Sequence, residues 1–239
     1  MRVKLNIANK KRKGFTLAET LVTLVVIGVV AAIVIPTVIQ NTQQAEYKTS
    51  FQKIYASFSQ ASLNIITANA GTMVGAYGNS DDLFNLYANQ MSFVKTCPEN
   101  TSPNVCFNGS SSLWYTLQGT AGWTSFTGAS SGAQGILNNG MTVMIKDDTA
   151  SACNSAAYTR NGSNLECGYI YIDVNGLKPP NRVGVDMFGF YITPYGTIPF
   201  GAPGSHVYGA STYCSISGNN MQNGNGCAAL VLLNQAFSP

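Results

Sequence analysis

The 239-residue chain is 45% hydrophobic and 10% charged, its polarity coming mainly from Asn, Gly, Ser and Thr, which excludes charged, low-complexity disorder for the bulk of it. Six of the 13 basic residues (Arg2, Lys4, Lys10, Lys11, Arg12 and Lys13) lie in the first 14 positions, which hold no acid, so 7 basic residues face 10 acidic ones in the remainder. The formal charge of +3 therefore belongs to the N-terminus, and the acidic body gives no strong nucleic-acid signal.

After the basic cluster and Gly14 comes a long apolar run. From Phe15 to Ile35 the only charge is Glu19. Those residues would span ~31 Å as a helix, the thickness of a bilayer core. The basic cluster would stay cytoplasmic and the C-terminal body outside. A secretory signal peptide is a rival reading, but Ala31-Ala32 followed by Ile33-Val34-Ile35-Pro36 is a poor cleavage site. A plain anchor is the other rival. Neither has a use for a carboxylate in apolar helix, which costs ~2.5–3.5 kcal/mol on insertion scales. Cutting after Gly14 would create an α-ammonium on Phe15, four residues from Glu19, and that charge could answer it in the same or a neighbouring chain.

Lys13-Gly14-Phe15-Thr16-Leu17-Ala18-Glu19-Thr20-Leu21-Val22 resembles the cleavage and methylation motif of type IV prepilins and type II secretion pseudopilins. Close similarity covers about Lys10–Phe58, and Ala18 stands where relatives often have Leu, Ile or Val. The resemblance implies a membrane prepilin peptidase cutting between Gly14 and Phe15 and N-methylation of Phe15. It implies Glu19 meeting the Phe15 ammonium of an adjacent subunit during assembly. The partners implied are other pilin subunits, the prepilin peptidase and methyltransferase, the inner-membrane assembly machinery, and membrane lipid before assembly. The place implied is the bacterial inner membrane, crossed once, and then a periplasmic or cell-surface filament.

Gly28 and Pro36 fall in the same helix. Pro36 removes an N–H and clashes with the Ala32 carbonyl, so a kink is expected there. Relatives' helices often melt between such a Gly and Pro; a packing glycine and a simple bend are the bland alternative. Beyond Pro36, Tyr47, Phe51, Ile54, Tyr55, Phe58, Ala61, Ser62, Ile65 and Ile66 recur at helical spacing, and Asn69-Ala70-Gly71 offers a stop. The organisation expected is a basic leader (1–14, removed), a transmembrane or filament-core half-helix (15–39), an amphipathic half-helix (40–70) and a globular head (71–239).

In the head, Ser80-Asp81-Asp82 reads as the cap of a helix through about Lys95, with Leu83, Phe84, Tyr87, Met91 and Val94 as its apolar face. Gly109–Gly135 reads as a long irregular loop with short strands. Met141–Ile145, Gly168–Asp173 and a Phe188–Thr193/Ile198–Phe200 hairpin read as strands. Cys227–Phe237 reads as a short helix or strand. The fold class expected is α+β and pilin-like: a long N-terminal helix packed on a small antiparallel sheet of three or four strands, with disulfide-closed loops.

Six cysteines fall in three sequential pairs, Cys97/Cys106, Cys153/Cys167 and Cys214/Cys227. The expected pairing follows that order, though six cysteines allow 15 connectivities and six free thiols would fit a reducing compartment. Each closed loop could contribute ~3 kcal/mol on the chain-entropy model. With one histidine and no Cys-x-x-Cys, zinc is a poor explanation. Asp173-Val174-Asn175-Gly176, with Asn181 and Asp186 after it, resembles the start of a calcium loop but lacks the rest of an EF-hand; a turn after a strand explains the same residues. No cofactor is otherwise expected.

Catalytic patterns are thin: no Walker loop and no G-x-G-x-x-G beside a strand. His206 lies among Gly and Tyr with no nearby acid, and Asp81-Asp82 and Asp147-Asp148 suit capping and turns. The reading is a non-enzymatic subunit of a type IV pilus-like filament. A type II secretion pseudopilin, or a minor tip pilin acting as adhesin or DNA receptor, is the alternative. Removing 14 residues leaves a chain long for a major pseudopilin, which favours a pilin.

Overall fold

Helix α1 runs from Leu17 to Ala68 and continues through Pro36 as helix. The computed structural model describes residues 14–99, 101, 105–107, 115–120, 132–149 and 151–234. The chain divides into two compact units between Gln43 and Gln44, so α1 begins in the first and ends in the second. Its stop is the expected one. The Gly71 N–H bonds to the Ile66 carbonyl and Ala70 turns left-handed at φ 54°, which satisfies carbonyls that the helix end would leave bare.

The second unit is built on an antiparallel sheet ordered β1-β2-β3-β6-β7-β8. The strands are β1 (Phe93–Cys97), β2 (Ala133–Leu137), β3 (Thr142–Asp147), β6 (Gly168–Asp173), β7 (Met187–Thr193) and β8 (Gly196–Pro199). A separate hairpin joins β4 (Ser155–Arg160) and β5 (Ser163–Glu166). The sheet is thus larger than the three or four strands expected.

The apolar stripe of α1 packs on one face of this sheet. Phe51 stacks on Phe188 with ring centroids 4.4 Å apart, and Phe190 meets Tyr55 at 5.2 Å and Phe58 at 5.6 Å. Register puts Ile172 opposite Phe188, and Ile170 opposite Phe190, on that face. All seven residues of β7 are buried, because the other face is covered as well. There Tyr191 lies 4.3 Å from Phe200 and 5.9 Å from Tyr158 of the hairpin. A Cβ on Gly189 would collide with the Phe200 ring, so only glycine lets Phe200 lie flat on the strand.

The expectation for the helix after Asn79 needs correction, and one element was not foreseen. Helix α2 spans Ser80–Ala88, its cap is Asn79, whose side chain accepts from the Asp82 N–H, and it does not reach Lys95. Leu83, Phe84 and Tyr87 complete its buried stripe, and residues 93–97 instead pair with β2 as an edge strand. The expected loop Gly109–Gly135 contains the start of β2; its residues 109–114 and 121–131 lie outside the described residues. The β4–β5 hairpin was not anticipated, although Asn161-Gly162 at its turn is a strong hairpin signal; both residues have positive φ. At the C-terminus, α3 (Ala210–Tyr213) and α4 (Cys227–Leu232) complete the described elements.

Candidate functional site

In the first unit the apolar side chains stand bare among the described residues: Phe15, just ahead of α1, is 87% exposed, and within the helix Leu17 is 80% and Ile33 68%. The helix is long and apolar enough to cross a membrane. Its hydroxyls are not left bare. Thr20 donates to the Leu17 carbonyl, Thr23 to Thr20 and Thr37 to Val34, which suits hydrocarbon surroundings, where unsatisfied polar groups are costly.

Glu19 is held locally. Its Oε2 accepts from the Thr16 N–H and from the Thr16 hydroxyl, both at 2.8 Å, while the Glu19 N–H donates to Thr16 Oγ1 at 3.2 Å. This reciprocal arrangement is a capping box. Thr16-x-x-Glu19 signals it in the sequence, so an acid at position 19 has a second use besides its charge. A Cβ built on Gly14 or Gly28 would meet nothing within 4 Å. Within the single chain, among the described residues, nothing therefore crowds either glycine.

The second unit holds three disulfides, Cys97–Cys106, Cys153–Cys167 and Cys214–Cys227. The last closes a loop organised on Asn223, whose amide accepts from the Ser215 N–H and donates to the Ser215 and Gly218 carbonyls. No sequence pattern pointed to Asn223. Gln52 of α1 donates to the Val231 carbonyl, tying the helix to α4.

The β6–β7 connection brings Asp173, Asn175, Asn181 and Asp186 together. The Val174 N–H bonds to the Asp186 carbonyl, and the Asp186 carboxylate accepts from the backbone N–H groups of Asn181 and Arg182. Asp173 Oδ1 accepts from the Asn175 N–H. Both acids are fully buried. Burial, then the neighbouring Asp186 charge, raises the Asp173 carboxyl well above its usual range. Burial also raises Asp186, to about 6, against the N–H groups that favour its ionised form. Among the described residues, Asp173 Oδ2, Asn175 Oδ1 and Asn181 Oδ1 are buried without a hydrogen-bond partner, each at a cost of about 1–3 kcal/mol.

Elsewhere, Ser155 Oγ lies 2.7 Å from both Asp148 Oδ2 and Glu166 Oε2. A hydroxyl has one proton to give. Burial pushes the Glu166 carboxyl up to about 7, so Glu166 can bring the second. His206 Nδ1 contacts the Tyr191 hydroxyl and the Ala157 carbonyl, not an acid. Asp82 accepts from the Gly78 N–H just ahead of α2, whereas Asp81 accepts from the Glu99 N–H across the fold rather than capping a helix or closing a turn. Gly128-Ala129-Ser130-Ser131-Gly132 spells G-x-S-x-G, a pattern that was not anticipated; its serines lie outside the described residues. Among the described residues, no three or more His, Cys, Asp or Glu side chains cluster as a metal site.

In comparison with known families, the prokaryotic N-terminal methylation motif matches residues 9–35. That span takes in Gly14, Phe15, Glu19 and Gly28 and stops one residue before Pro36. No curated protein and no solved structure matched the chain.

Proposed function

We propose that this chain, which carries the type IV pilin and pseudopilin signature at residues 9–35, is a structural subunit of a type IV pilus-like filament. The observation that carries the reading is the signature leading into an apolar helix whose side chains are left exposed. Before assembly that surface rests in lipid, with the basic leader on the cytoplasmic side. A prepilin peptidase removes residues 1–14, and Phe15 is methylated. Many copies then leave the bilayer and bundle their helices.

The energetics of that transfer are specific. Lipid is as apolar as another helix, so leaving it gives no hydrophobic gain. Exposure to water is prohibitive, so the helices pass from lipid into a core of their own kind. Register must come from something more selective. A Glu19 carboxylate paired with a Phe15 ammonium serves, because any other register buries a charge alone, and breaking such a pair costs about 3–5 kcal/mol. The open, head-to-tail repeat yields a fibre. Pilus and secretion pseudopilus share these mechanics. No catalytic role enters.

Mass spectrometry of the mature N-terminus tests this directly. N-methylated Phe15 is expected, and Gly14→Ala should leave an uncut precursor in the membrane. Any other mature N-terminus, or normal processing of G14A, sinks the reading.

A further inference from the structure

We propose that Asn161, at the tip of the β4–β5 hairpin, is a site of self-modification: its side-chain amide is attacked by the Gly162 nitrogen and leaves as ammonia, so that the tip gains a carboxylate. The inference rests on a comparison within the chain. Asn is followed by Gly at Asn108, Asn139, Asn161, Asn175, Asn223 and Asn225, and glycine, having no side chain, leaves its own nitrogen open to approach. Asn108 lies outside the described residues. At four of the other five, both reacting groups are tied. The Gly140 N–H donates to the Leu137 carbonyl, that of Gly176 to Asp173, and those of Gly224 and Gly226 to Tyr213. The side chains are held as well. Asn139 accepts from the Met141 N–H, Asn175 donates to Tyr47 and Pro179, Asn223 donates to Ser215 and Gly218, and Asn225 accepts from Tyr171. Asn161 differs on both counts: among the described residues, neither its side chain nor the Gly162 N–H makes a hydrogen bond. A Cβ on Gly162 would meet nothing within 4 Å. Exposure alone does not single out Asn161, since Asn139 is exposed too; what Asn139 has and Asn161 lacks is the pair of bonds.

The chemistry needs only water. The Gly162 nitrogen gives its proton to water and bonds to Asn161 Cγ. The Cγ–Nδ2 bond breaks, and the departing nitrogen takes a proton from water and leaves as ammonia. The cyclic imide then adds water. Opening at Cγ leaves aspartate; opening at the main-chain carbonyl leaves isoaspartate, with the chain running through Cβ and Cγ. The reacting atoms must swing out of the turn, where φ is 52° at Asn161 and 79° at Gly162; a tip closed only by the pairing of Arg160 with Ser163 allows it. The two products act differently. Asp-Gly suits the same two-residue turn. Isoaspartate lengthens the main chain there and spoils the match to the strand twist. The change stops at the tip. Behind it the Thr159 N–H donates to the Gly204 carbonyl and the His206 N–H to the Ala157 carbonyl, and the Cys153–Cys167 disulfide closes the base. Conversion therefore puts a new acid on the surface of a unit that stays folded.

The proposal does not depend on the filament reading. The full chain, purified in detergent and kept folded in mildly alkaline buffer, is sampled over days, digested at acidic pH and mapped by mass spectrometry. Conversion at Asn161 should outpace that at Asn139, Asn175, Asn223 and Asn225 by about tenfold or more, because each of those must first break two hydrogen bonds. Reduced and unfolded in urea, the chain should lose the preference, since every site then has the same Asn-Gly chemistry. Equal rates in the folded chain, or faster reaction at another of these asparagines, overturn the assignment. A lead for Asn161 that persists in urea overturns it too, because the fold would not be its cause. Aspartate without isoaspartate at Asn161 would mean direct hydrolysis of the amide, and would overturn attack by Gly162.

Discussion

Glu19 serves two purposes that one substitution cannot separate. In the subunit its carboxylate closes a capping box with Thr16, which satisfies backbone N–H groups at the helix start. In the filament the same carboxylate is proposed to answer the Phe15 ammonium. Glu19→Ala removes both. Glu19→Gln keeps the box, since Gln serves equally at that position, and removes only the charge. If charge sets register, an unanswered buried ammonium should cut sheared filament yield by about tenfold or more for E19Q, close to the loss for E19A, with processing intact in both. Wild-type yield from E19Q would reduce Glu19 to a helix cap. The offset of Glu19 from Gly14 and Phe15 was legible because the sequence from Phe15 to Ile35 is otherwise uncharged. The capping box was equally legible, in Thr16 three residues before Glu19, but a lone charge in apolar sequence is the louder of the two signals.

At the scale of elements, legibility followed the strength of local periodicity. The α1 stripe from Phe51 to Ile66 is buried as expected, because a helical repeat over many residues has no competing reading. The strand β6 matches its expected bounds, being a run of β-branched and aromatic residues bounded by turns. Residues 93–97 defeat a helical reading because Val94 extends the stripe of α2 by spacing alone, whereas pairing with β2 satisfies their backbone. The hairpin escaped notice because Ser155–Arg160 shows little apolar alternation; it is held from outside, by Tyr158 against Tyr191 and by the Cys153–Cys167 disulfide at its base. The orphaned oxygens of the β6–β7 connection could not be read at all, since burial and partnering are tertiary facts. The hairpin also carries a pH response. Burial is the main cause of the raised Glu166 carboxyl, near 7 against 4.5; Ser155 works against it, and Asp148 with it. Tyr77, Tyr169, Tyr171 and Tyr191 are the other titratable groups around it. The folded chain therefore binds a proton that the unfolded chain releases above about 4.5. The resulting stability is full below that value and lost as pH rises through about 7, up to roughly 3 kcal/mol. Glu166→Gln should be more stable than wild type at pH 8, and its urea midpoint should fall less from pH 5 to pH 8. A midpoint that falls as steeply in both proteins, or that does not fall in the wild type, would refute a proton held at Glu166.

For the molecule as a whole, apolar surface is divided between the two units in a way that assigns assembly to one of them. From Leu17 to Ile39 the large aliphatic side chains are exposed in continuous succession. Beyond Gln44, among the described residues, exposed apolar residues such as Leu63, Val74, Val94, Ile216 and Met221 are spread through the sequence among polar neighbours, and scattered exposure of this kind calls for no partner. The second unit has its own core, centred on β7 and the stripe beginning at Phe51, and all three disulfides lie within it. A chain starting at Gln44, exported to an oxidising compartment, should therefore fold with the same three disulfides and remain a soluble monomer. Light scattering after gel filtration would report its mass, and peptide mapping without reduction its pairing. The full processed chain, by contrast, should need detergent or polymerise. Filaments from the fragment would show that the globular unit drives polymerisation, and the apolar face bared from Leu17 to Ile39 would then serve as a membrane anchor alone.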